Sequence, residues 1–139
     1  MRANRELDYP IELVKSPIKM KETIIALAQK YTLGIVSNKI KKNIFEVPDM
    51  QEIEKYFTWV IAFEDIQKPK PNPESLVLML QKLDIKPEEA VYIGDAMTDA
   101  QAAKAAGIKF ILFPKSNVEG ADISTDIFEE LPEIISKLV

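Results

Sequence analysis

Two aspartates four residues apart, Asp95 and Asp99, stand where a short apolar run gives way to an alanine-rich segment: Val91-Tyr92-Ile93-Gly94-Asp95-Ala96-Met97-Thr98-Asp99. Val91–Ile93 has the length and β-branched content of a buried parallel strand. Gly94 permits a sharp turn after it. Thr98 and Gln101 have the spacing of a capping box, which predicts a helix starting there. That helix is dense in alanine, and Gly107 sits where a left-handed residue ends a helix. The two carboxylates therefore converge at the carboxyl end of a strand, the place where open α/β sheets bind ligands. Carboxylates that close repel unless a cation lies between them. A hard divalent ion, Mg²⁺ before Ca²⁺, suits such oxygen ligands. Each aspartate also has a plainer role, Asp95 ending a strand and Asp99 favouring a helix N-terminus.

The chain's absences narrow the chemistry. It has no cysteine, so thiol nucleophiles, disulfides and cysteine-based zinc sites are excluded. It has no histidine either, which removes Ser-His-Asp triads and histidine-liganded zinc. Carboxylates, lysine, hydroxyls and a hard metal remain, and these are the tools of phosphoryl transfer. The net charge of -4 argues against a nucleic-acid partner, which needs a basic face. No apolar run is long enough for a membrane span, and Met1–Glu6 leads into no secretory signal. A cytoplasmic location is expected.

Strand and helix patterns alternate along the chain. Residues 1–16 carry the weakest signal, a connector with one short extended candidate in Tyr9–Val14. Lys19–Tyr31 has the three- and four-residue apolar spacing of an amphipathic helix. Thr32–Val36 is a short buried strand ending at Ser37-Asn38-Lys39, where a hydroxyl and an amide can either donate to an anion or cap the next helix. Residues 40–57 divide into two helical pieces at Val47-Pro48-Asp49, with Asp49 as the expected cap. Trp59–Phe63 is the next strand. Lys68-Pro69-Lys70-Pro71-Asn72-Pro73 follows, its prolines at period two stiffening an extended backbone. Read alone, its lysines form a solvated basic loop. Asn72 and Pro73 read as N-cap and first residue of a helix carrying Leu76, Val77, Leu80 and Leu83. Ile108–Phe113 is a further strand, 115–125 a loop with an edge segment near Ile123, and Asp126–Val139 a helix broken at Pro132. The fold class is α/β, a Rossmann-like parallel sheet with helices on both faces.

Three stretches in this order, Leu33–Lys39, Lys68–Glu74 and Val91–Asp99 with Ala102–Gly107, resemble the haloacid dehalogenase-like hydrolase superfamily, nearest its phosphoglycolate phosphatase and pyrophosphatase-like group. The resemblance covers about residue 17 to the C-terminus. It implies Mg²⁺-dependent hydrolysis of a small phosphate monoester through a phospho-aspartyl intermediate. By position, Ser37 would hydrogen-bond the transferring phosphoryl group beside Asn38, and Lys68 would neutralise charge on phosphate and nucleophile. Asp95 would hold Mg²⁺ directly, and Asp99 directly or through water.

The pattern departs from the family at its start. The first motif, an apolar strand ending in Asp-x-Asp, should precede Ser37, yet the one aspartate there is Asp8, in Asp8-Tyr9-Pro10-Ile11, which does not fit. No nucleophile is thus assigned in this chain. The expected organisation is a connector or cap remnant over 1–16 and an incomplete core over 17–139. The implied enzyme is inactive by itself; the competing reading is a non-catalytic module that binds phosphate and Mg²⁺. The absent strand belongs between Thr32–Val36 and Val91–Ile93. Leaving those edges facing each other unpaired costs about 1–3 kcal/mol per buried group. The expectation is that the two strands pair directly, that Pro10–Val14 fills the place, or that a homodimer or separate chain supplies a strand.

Overall fold

A computed structural model describes residues 17–139. Tyr9–Val14, Asp8 and the connector over 1–16 lie outside the described residues. Helix α1 (Met20–Lys30) leads into strand β1 (Leu33–Val36), then α2 (Lys41–Ile44), α3 (Pro48–Ile53) and β2 (Phe57–Ile61). Next come α4 (Glu74–Leu83), β3 (Val91–Gly94), α5 (Met97–Ala106), β4 (Lys109–Leu112), the short β5 (Ile123–Ser124) and α6 (Leu131–Leu138). Single 3₁₀ turns at 54–56, 63–65, 87–89 and 128–130 link several of these.

Among the described residues every strand pairing is parallel, β1 with β2 and β3 with β4 with β5. Each connection must then cross a face of the layer, and the apolar residues alternate to match. Ile35, Ile93 and Ile111 point into one core with Ile24 and Leu27 of α1 and Leu131 of α6. Val36, Tyr92, Phe110 and Leu112 point into the other, against Leu76 and Leu80 of α4 and Ala102 and Ala103 of α5. The alanines let α5 lie close to β3 and β4.

Boundaries shift where turn chemistry overrides pattern. β2 is Phe57–Ile61 rather than Trp59–Phe63, because the Asp65 carboxylate accepts the Ala62 N–H at 2.9 Å and curls the chain away. Pro48 rather than Asp49 opens α3. Asn72 Oδ1 accepts the Glu74 N–H at 3.0 Å, so Asn72 caps α4 from one residue outside it. α5 begins at Met97, ahead of Thr98, because its carboxylate cap is Asp99. α6 starts at Leu131, with Pro132 in its first turn. Gly107 closes α5 at φ 75°, in the left-handed region.

Among the described residues β1 and β3 do not pair, which corrects the expectation of direct pairing. Between them lies an apolar slot of about 120 Å³, lined by residues of β1 and β3 and by side chains from both faces, including Leu27, Met79, Leu80 and Ile108. At the carboxyl end the Tyr92 hydroxyl bridges the gap, 3.4 Å from the Val36 carbonyl. Among the described residues no helix is long and apolar enough to cross a membrane.

Leu131 is fully buried where α6 meets α1 and the sheet, whereas Val77 on α4 is 40% exposed. Leu131→Ala should cost about 2–5 kcal/mol and Val77→Ala less than about 1 kcal/mol, read as midpoint shifts in urea denaturation.

Candidate active site

The carboxyl ends of β1 and β3 bring together three segments, the β1–α2 loop, the proline-rich loop and the β3–α5 turn. Ser37, 1% exposed, donates its backbone N–H to the Ile61 carbonyl at 3.0 Å, continuing the ladder one residue past β1. Its Oγ accepts the Lys39 N–H at 3.1 Å, which leaves the hydroxyl proton to be donated in another direction. Asn38 binds the proline-rich loop at both ends of its amide. Its Oδ1 accepts the Lys70 N–H at 3.2 Å, and its Nδ2 donates to the Lys70 carbonyl at 3.4 Å.

That clamp turns the Lys70 side chain inward. Its ammonium is fully buried and donates to Asp99 Oδ1 at 2.6 Å and to the Tyr92 hydroxyl at 2.8 Å. The Tyr92 oxygen lies 3.3 Å from Asp99 Oδ1, so its single proton can serve either that oxygen or the Val36 carbonyl. Buried charges are retained only when paired and hydrogen-bonded, and this cluster meets that condition. Asp99 Oδ2 accepts the backbone N–H groups of Asp95 and Ala96, each at 3.1 Å. One carboxylate thus caps α5 with one oxygen and holds an ammonium with the other.

The sequence points to Lys68, and the structure places Lys68 elsewhere. Its side chain is exposed and its backbone N–H donates to Glu74 Oε1 at 3.2 Å. Lys70 is the lysine that joins Asn38, Tyr92 and Asp99. The signal was present: Lys-Pro-x-Pro occurs twice in overlapping frames, and the second frame, from Lys70, runs directly into Glu74 at the start of α4.

Asp95 sits half-buried at the end of β3. The described residues fit a divalent cation only in part. Asp99 already accepts an ammonium and two N–H groups, so it cannot ligate a metal directly without giving up Lys70. Ligation from this turn falls to Asp95, and no cluster of three or more acidic side chains occurs among the described residues.

A parallel α/β layer thus gathers a hydroxyl, an amide, a buried lysine and two carboxylates at its strand ends. The profile of the haloacid dehalogenase-like hydrolases matches residues 3–113, and the chain belongs to that family. It is 41% identical over 87 residues to a phosphoglycolate phosphatase of Salmonella choleraesuis (strain SC-B67), covering 62% of this chain and 34% of that one. The Escherichia coli (strain K12) phosphoglycolate phosphatase is 39% identical over the same length. The match spans about a third of these curated relatives. Among solved structures, a predicted phosphoglycolate phosphatase from Haemophilus somnus 129PT superposes with TM-score 0.76 at 25% identity, over 87% of this chain and 57% of that one. A HAD phosphatase from Thermococcus onnurineus superposes with TM-score 0.73 at 28% identity, over 82% and 55%.

Gly94 is dictated by Asp99. A Cβ on Gly94 would fall 2.5 Å from Asp99 Oδ2 and 2.7 Å from its Cβ and Cγ. Gly34 is close instead to the flexible end of Met79, with Cε at 2.6 Å and Sδ at 2.7 Å. Gly94→Ala should therefore cost about 1–3 kcal/mol, the range for overpacking. Gly34→Ala should cost less, because the methionine tip can swing away. Thermal melts of the two variants side by side check the order.

Proposed function

We propose that this chain is the core of a phosphohydrolase acting on a small phosphate monoester, with Lys70 as the cation of the phosphate site. The observation that carries the reading is the buried Lys70 ammonium, locked by Asn38, Tyr92 and Asp99 at the carboxyl ends of β1 and β3. Phosphoryl transfer asks a protein mainly to position three charged oxygens and neutralise them. The Lys70 ammonium offers its charge at the strand ends, the Ser37 hydroxyl donates to one phosphoryl oxygen, and Asn38 sets the lysine's backbone. Asp99 is a positioning residue that aims Lys70 and starts α5. Lys68 is exposed and stands outside this cluster.

Mg²⁺ belongs to the same proposal. Asp95 is the residue of this chain to hold it, and the ion supplies further charge neutralisation when bound. Its other ligands would come from water and from the aspartates of an Asp-x-Asp strand. The nucleophile is proposed to come from that strand too, since none of the 139 residues fits the motif. The slot between β1 and β3 lies at the position such a strand takes in the family pattern. Similarity to phosphoglycolate phosphatases suggests a small phosphorylated carboxylic acid as substrate class.

Assays of p-nitrophenyl phosphate hydrolysis test this in two forms of the protein, the 139-residue chain and a fusion with an apolar strand ending in Asp-x-Asp placed ahead of Met1. The chain alone should show no turnover above background, because no histidine is present to activate Ser37. The fusion should hydrolyse the ester with Mg²⁺ and lose about 100-fold or more in kcat with Lys70→Met, while Lys68→Met has a small effect. Turnover by the pure chain alone would overturn the assignment. A fusion that binds inorganic phosphate without turnover would support the non-catalytic module instead.

A further inference from the structure

β3 is an apolar strand with one hydroxyl in it, that of Tyr92. Tyr92 is buried, and its partner in register on β4 is Phe110, whose ring centroid lies 6.0 Å away. Packing between the two strands asks for a ring at this place and not for an oxygen. A buried hydroxyl is costly unless it is bonded, so the reason for tyrosine lies in what its oxygen meets. Groups from three segments converge on it: the Lys70 ammonium of the proline-rich loop at 2.8 Å, Asp99 Oδ1 of α5 at 3.3 Å and the Val36 carbonyl of β1 at 3.4 Å. The bond accepted from Lys70 is short. The two acceptors both stand beyond the usual O–H···O length of about 2.7–2.8 Å, and the one phenol proton lies between them.

The Val36 carbonyl belongs to the same peptide group as the Ser37 N–H. That N–H donates to the Ile61 carbonyl at 3.0 Å, and in a trans peptide the N–H and C=O point in opposite directions. The peptide that carries Ser37 is therefore held by β2 on one side and met by Tyr92 on the other. We infer that Tyr92 is a positioning residue of the phosphate site, whose hydroxyl sets the Ser37 hydroxyl and the Lys70 ammonium at one spacing. This role rests on the phosphate site proposed above, and Tyr92 is what couples that site's two donors. Asn38 fixes the backbone of Lys70, whereas Tyr92 fixes its ammonium. A phosphoryl group bound by both donors draws them together and commits the phenol proton to the Val36 carbonyl. Hydrogen bonds of a site that are long without ligand tighten in this way when the ligand arrives. Tyr92 acts through Ser37 and Lys70 and not on the substrate itself.

Titration of the 139-residue chain with inorganic phosphate tests the coupling. Tyr92→Phe keeps the ring and removes the oxygen, and should weaken binding about tenfold, the effect of one hydrogen bond to a charged group. Ser37→Ala should weaken it by a similar factor. The two together should lose less than about twofold beyond the larger single loss, because without the Ser37 hydroxyl the spacing has nothing to set. A second measurement does not depend on the Tyr92→Phe variant folding. In the unaltered chain labelled with carbon-13 at tyrosine Cζ, the Tyr92 resonance is assigned by elimination with Tyr9→Phe, Tyr31→Phe and Tyr56→Phe, the other tyrosines. It should shift when phosphate is added and stay in place in Lys70→Met, whereas a tyrosine that only packs would not respond. Phosphate binding unchanged in Tyr92→Phe, full additivity with Ser37→Ala, or a Tyr92 resonance indifferent to phosphate would overturn the coupling and leave the phosphate site standing. An unaltered chain that binds no phosphate would overturn that site and the role of Tyr92 with it.

Discussion

The ion pair between Lys70 and Asp99 is the constraint on which the rest of the site depends. Both side chains are withdrawn from water, which in isolation is costly for each. The structure offsets that cost by giving every oxygen and the ammonium several partners: Tyr92, two backbone N–H groups of the β3–α5 turn, and the paired charge itself. Consequences spread outward from it. Gly94 has to lack a side chain because the carboxylate lies against it, and α5 begins where Asp99 can cap it. The proline-rich loop is held by Asn38 so that its second lysine points inward. Tyr92 extends the cluster to the last carbonyl of β1 and ties the two sheets at the end where chemistry would occur.

The split of the layer follows the same logic. Two parallel units meet across an apolar slot, and within the described residues their link at the strand ends is polar. A site at the junction of two units can be assembled from groups that neither holds alone. Ser37 and Asn38 come from the β1–β2 side, Asp95 and Asp99 from the β3–β4–β5 side, and Lys70 arrives on the crossover between them. The candidate site is built by this convergence rather than on any one element.

Much of this was legible in the residues. The β3–α5 turn could be read because strand, glycine, aspartates and alanine helix follow one another within a short span, and each step obeys local rules. Gly107 was legible for the same reason. The identity of the inward lysine was not. Lys68 and Lys70 each precede a proline, so local pattern cannot separate them, and the choice is made by Asn38, 32 residues away in sequence. The start of α5 was read two residues late because Thr98 and Asp99 both suit a cap. Asp99 is selected because its Oδ2 accepts the Asp95 and Ala96 N–H groups while Lys70 holds its other oxygen, and that lysine comes from 29 residues away. The end of β2 was missed because Asp65 folds back onto Ala62, a side-chain effect that apolar spacing does not report.

A double-mutant cycle on Lys70 and Asp99 tests the central claim most directly. Free energies of unfolding would be measured for the unaltered chain, Lys70→Met, Asp99→Asn and the double variant; asparagine retains an acceptor for the two backbone N–H groups. Each single change should cost about 3–5 kcal/mol, because it leaves a buried charge without its opposite. The double variant should be at least about 2 kcal/mol more stable than the sum of the single losses implies. Additivity within about 0.5 kcal/mol would contradict the account, since it would mean that the lysine and the aspartate act separately and that neither organises the site.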